Sequence, residues 1–174
     1  MTADAPAALA RPDRSVAPVG SFMLLLLRLI LGAIFCLAAF LKLTDPQSFS
    51  EAIQAFKALD ADEPVLTTTH NLPWVEIFAG VALILGFWTR EAAFVIGVLL
   101  LVFIGVIISA IHKGLSGIPC SCFGYWHLVC QSGVGWCKVW ENTALTAIAA
   151  SLVVAGGGNL SLDRLIARRQ ALTP

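Results

Sequence analysis

AAFVIGVLLLVFIGVIISAI, residues 92–111, runs for twenty positions without an Asp, Glu, Lys or Arg. A helix of that length rises roughly 30 Å, the thickness of a bilayer's hydrocarbon core. Three other stretches read the same way: FMLLLLRLILGAIFCLAAFL over 22–41, LPWVEIFAGVALILGFW over 72–88 and VWENTALTAIAASLVVAGG over 139–157. The last is rich in Ala and Gly, which lets helices approach closely in lipid. The whole chain of 174 residues is 58% apolar and only 13% charged, with a formal net charge of zero. Soluble chains carry about 25% charge. Disorder, a basic nucleic-acid binder and an ordinary cytosolic enzyme are thereby excluded, and the length leaves room for one domain. The expected fold is an all-α membrane protein, a four-helix transmembrane bundle.

The first span is too long for a signal-peptide core and no small-x-small cleavage site follows it, so it reads as a retained anchor. Four spans put both termini on one side. The tails and the short turn between spans 2 and 3 hold Arg11, Arg14, Arg90, Arg164, Arg168 and Arg169. The opposite side holds Lys42, Lys57, Lys113 and Lys138 among Asp45, Glu51, Asp60, Asp62 and Glu63. The arginine bias predicts cytoplasmic termini in a bacterial inner membrane. Residues 1–21 read as a flexible cytoplasmic tail, 22–157 as the four-span domain and 158–174 as a short basic amphipathic tail that Ser161 caps. In the first outer loop Asp45-Pro46 reads as N-cap and N1. Phe49, Ile53, Phe56 and Leu59 then follow at helical spacing, which predicts an interfacial amphipathic helix after span 1.

Ionisable groups within spans are costly and point to function or packing. Arg28, Gly32, Phe35, Ala39 and Lys42 share one face of span 1; Glu76, Gly80, Leu83, Phe87 and Arg90 form the matching stripe of span 2. The helices run oppositely, so depth decides who meets. Lys42 and Glu76 both lie near the outer surface, whereas Arg28 lies roughly 10 Å further in. Lys42–Glu76 is the expected pair, against a reading in which Glu76 only complements a helix N-terminus started by Pro73 and Lys42 only snorkels. Glu141 and Asn142 open span 4 at the same level, and His112 closes span 3 there.

Cys120, Cys122, Cys130 and Cys137 all fall between spans 3 and 4, in an oxidising compartment if the orientation holds. Cys36 in span 1 reads as a small buried apolar residue. The loop is open to three readings: two structural disulfides, a redox-active pair, or a Cys₃His metal site from Cys120, Cys122, His127 and Cys130. A Cys-x-Cys disulfide closes a small strained ring, which suits exchange. Pro119, Gly124, Tyr125 and Trp126 suit a turn at the membrane interface. A dithiol there can face a quinone on one side and a thioredoxin-like protein on the other.

Arg28-x₃-Gly32 with Lys42, Pro73-x-x-Glu76-x₃-Gly80, and Cys120-Ser121-Cys122-Phe123-Gly124 after the third span resemble the DoxX-like superfamily, and C-x-C-F-G its MauE (methylamine utilisation) branch, over about residues 22–157. The resemblance implies a four-helix membrane bundle tied to redox or disulfide chemistry. In methylamine utilisation it implies work beside a thioredoxin-like partner in maturing a disulfide-rich periplasmic enzyme. The sequence departs from the pattern at Glu141-Asn142, where the family often has Arg-Asn, and in its additional Cys130 and Cys137. The leading expectation is a thiol–disulfide relay with Cys120 and Cys122 exchanging and Cys130 and Cys137 structural or a second step. Arg28, Lys42, Glu76, Glu141 and Asn142 would serve helix packing. The alternatives are a non-catalytic transmembrane subunit of a respiratory or photosynthetic complex with structural disulfides, and a metal- or quinone-binding module.

Overall fold

A computed structural model describes residues 18–55, 62–115, 134–156 and 161, and all of its regular structure there is helical. The helices are α1 (Pro18–Thr44), α2 (Pro46–Ala55), α3 (Asp62–Leu85), α4 (Thr89–His112) and α5 (Trp136–Ala155). α1 packs mainly on α3 and α4 mainly on α5, with α3 against α4 and α1 against α5 closing the order. α1 and α4 are long and apolar enough to cross a membrane by length and composition. α1 begins at Pro18, within the stretch 1–21 read as a tail. Most of that stretch, the residues after 161, and Phe56 and Leu59 lie outside the described residues.

The largest departure from the sequence reading is α3. Pro73 does not start this helix but sits inside it. Proline lacks the N–H that would bond the carbonyl four residues back, and in a helix it usually marks a first turn or a break. Here the polar run before it, LTTTHN, continues the helix outward, and Asn71 Nδ2 donates to Thr67 O at 2.8 Å. Glu76 therefore stands near the middle of α3, and its charge does not complement a helix N-terminus.

Small and branched residues fill the interior. Leu31, Phe35, Leu83, Ile96, Leu100 and Leu152 are buried around Ala38, Ala93 and Ala149. α1 and α3 approach through two glycines. A Cβ at Gly32 would come within 2.8 Å of Gly80 O, and one at Gly80 within 2.7 Å of Cys36 Sγ. Large apolar side chains instead point outward: Phe22, Leu26 and Phe40 on α1, Trp74, Phe78 and Val81 on α3, Phe94, Leu101 and Val102 on α4, and Trp140 and Val154 on α5. A water-soluble monomer rarely exposes so broad an apolar surface.

Two connections are set by local chemistry. Asp45 caps α2: the Ser48 N–H donates to Oδ1 at 3.2 Å and the Ser48 hydroxyl to Oδ2 at 2.6 Å. These hydrogen bonds hold the Asp45 carboxyl below its ordinary range. Between α3 and α4, Gly86 takes φ +72°. Its N–H bonds Leu83 O at 3.2 Å while Phe87 N–H bonds Ala82 O at 3.0 Å. That pairing ends a helix on a left-handed residue, a conformation glycine adopts without strain.

Candidate functional site

Side chains on a helix lean toward its N-terminus. On antiparallel helices, a residue late in α1 thus leans into the bundle while a residue of α3 leans outward to meet it. Lys42 and Glu76 meet in this way, Nζ lying 2.6 Å from Oε1 and 2.7 Å from Oε2. The pair is enclosed, with Lys42 3% and Glu76 1% exposed. Lys42 therefore turns inward and does not snorkel. Two rings complete the enclosure. The Phe49 centroid, from α2, lies 5.3 Å from Nζ, and that of Phe103, from α4, lies 5.4 Å away. Aromatic faces stabilise a cation by roughly 0.5–2 kcal/mol each, more where water is absent. One ammonium thus joins four helices.

A second polar group opens α5. Lys138 Nζ lies 2.9 Å from Glu141 Oε2, and both side chains are nearly buried. Asn142 is fully buried and its Nδ2 donates to Lys138 O at 2.8 Å. Two acceptors are left over: Glu141 Oε1 and Asn142 Oδ1 are buried and no donor reaches them.

The opposite ends of the helices carry an arrangement that spacing alone does not reveal. Arg28, buried, lies against Gly86 at the C-terminus of α3, where an added Cβ would come within 2.5 Å of Nη1. Arg90 does the same for α5: its Nη2 donates to Val154 O at 3.3 Å, and Gly156, at φ +74°, lies beneath its guanidinium. Both place a cation at the negative end of a helix dipole. The sequence signal was a glycine just past each apolar run, with an arginine in the first half of the neighbouring antiparallel helix.

Cys36 is a free thiol, half-buried beside Gly80. Cys137, at the mouth of α5, is exposed and disulfide-bonded. Cys120, Cys122, His127 and Cys130 lie outside the described residues. Among the described residues no His, Cys, Asp and Glu cluster could hold a metal ion.

Residues 20–155 match the family model described as methylamine utilisation protein MauE. The methylamine utilization protein MauE of Paracoccus denitrificans is 30% identical over 126 residues, covering 72% of this chain and 66% of that protein. The aligned region thus spans just under two thirds of the relative's length. No solved structure matches. With the matched region running from the start of α1 to the end of α5, the chain belongs to the MauE family of membrane proteins.

Proposed function

We propose that this protein is a multi-pass inner-membrane thiol–disulfide relay acting at the periplasmic face, with Cys120 and Cys122 as the exchanging pair and a thioredoxin-like protein as partner. The observation that carries it is the disulfide at Cys137, at the end of the same inter-helix segment that holds Cys120, Cys122 and Cys130. Disulfides persist in oxidising compartments, which favours the outward side for that segment. Four spans are supported by the outward apolar residues of α3 and α5, which continue the surface of α1 and α4. With its one buried aromatic, Phe49, directed at the ion pair, α2 would lie along the interface. The name of the Paracoccus relative makes an enzyme of methylamine utilisation the substrate class to test first. The wider DoxX-like kinship rests on the Arg28, Lys42 and Glu76 motifs.

Exchange passes through a mixed disulfide, and replacing the resolving cysteine traps it. One of Cys120→Ser and Cys122→Ser, but not both, should accumulate a reductant-sensitive covalent adduct with a periplasmic protein. If neither traps a partner and a client disulfide enzyme matures normally, the relay is wrong, and the loop is the staple of a non-catalytic subunit.

A further inference from the structure

We propose that Glu141 is the proton acceptor for thiol–disulfide exchange at Cys137, so that Cys137 takes part in the exchange instead of only stapling the loop. The inference rests on the relay reading and deepens it. Cys137 and Glu141 are four residues apart in the first turns of α5 and share a face, with Cβ atoms about 5–6 Å apart. The lean of helical side chains tilts Glu141 toward the turn that Cys137 occupies. Cys137 is exposed, whereas the Glu141 side chain is 8% exposed. Lys138 occupies Oε2 at 2.9 Å, which fixes the carboxylate, and leaves Oε1 buried without a donor.

A buried acceptor without a donor is costly, and native structures rarely keep one without a use. Neighbouring Asn142 Oδ1 is a second buried acceptor that no donor reaches. A disulfide supplies no proton, but the reduced Cys137 thiol supplies one. Among the described residues the other charged groups at this end of the packed helices are engaged or exposed: Lys42 is held by Glu76, and Asp45, Glu51, His112 and Lys113 are exposed.

The step balances without a further oxidant. In the oxidising direction the Cys137 S–H bond breaks and Glu141 Oε1 takes the proton. The thiolate attacks the disulfide of a thioredoxin-like protein, one S–S bond forming as the other breaks. The partner's leaving sulfur takes a proton from water. A second thiol of this chain resolves the mixed disulfide, so two electrons and two protons pass from one dithiol to the other. In reverse, Glu141 returns its proton to the departing Cys137 sulfur.

The test uses the full-length protein, reduced in detergent and alkylated with iodoacetamide between pH 5 and 10, with modification of Cys137 read by peptide mass spectrometry. Glu141→Gln should move the alkylation curve of Cys137 to lower pH, since a negative neighbour of the thiolate is gone, while Glu141→Asp should stay close to wild type. Superimposable wild-type and Glu141→Gln curves overturn the proposal. If the curves differ but neither protein exchanges with a thioredoxin-like dithiol, the relay reading fails and the Glu141–Cys137 proton coupling stands. Should Glu141→Gln not fold, Lys138→Met, which releases the carboxylate from its anchor, must change the same curve, and an unchanged curve overturns the proposal.

Discussion

Lys42 and Glu76 show how an ion pair is tolerated inside an apolar bundle. Withdrawing two charges from water costs several kcal/mol per ion, and the loss is repaid only by close geometry and further partners. Both carboxylate oxygens lie within 2.7 Å of one ammonium, and two rings cover the rest of it. Removing one partner leaves the other charge stranded, whereas removing both leaves apolar surface. Lys42→Met and Glu76→Leu should each cost about 3–5 kcal/mol, and the double variant less than either. Unfolding in mixed detergent would measure this, and additive losses would mean that the two groups do not interact.

At the scale of elements, the contact between α1 and α3 depends on the absence of two side chains. A methyl at Gly32 would press on the Ile84 side chain and on the backbone oxygen of Gly80, which cannot move without displacing a helix. Gly32→Ala should destabilise by about 1–3 kcal/mol through overpacking. Gly105, on α4, faces open space. Gly105→Ala should be neutral or stabilising by up to about 1 kcal/mol, since alanine is the better helix former. Equal melting shifts for the two would show that α1 and α3 do not pack this closely. α1 and α4 were legible in the sequence because uncharged runs of bilayer length have few other readings. α3 was legible only from Leu72 on, because Pro73 and the polar run before it look like a boundary and only packing keeps them helical. The depth argument brought Lys42 and Glu76 to one level, but nothing in the spacing shows that Phe49 and Phe103 enclose them. Ring placement depends on how α2 and α4 dock, which no local pattern encodes.

For the whole molecule, orientation is the property from which the redox reading follows. After mild reduction, a membrane-impermeant thiol reagent added to intact spheroplasts should label Cys137, while Cys36, packed beside Gly80, should stay unlabelled. Labelling of Cys137 only once the membrane is opened would reverse the orientation and remove the oxidising compartment from the argument. The enclosed pair also has an electrical consequence. Opposite charges bonded at one depth present almost no net charge to the potential across an energised membrane. A lone elementary charge responds with about 2.3 kcal/mol per 100 mV when it crosses the full field. The native bundle is therefore voltage-silent at this site. Glu76→Gln would leave a single cation there, which would respond to whatever share of such a field falls across its depth.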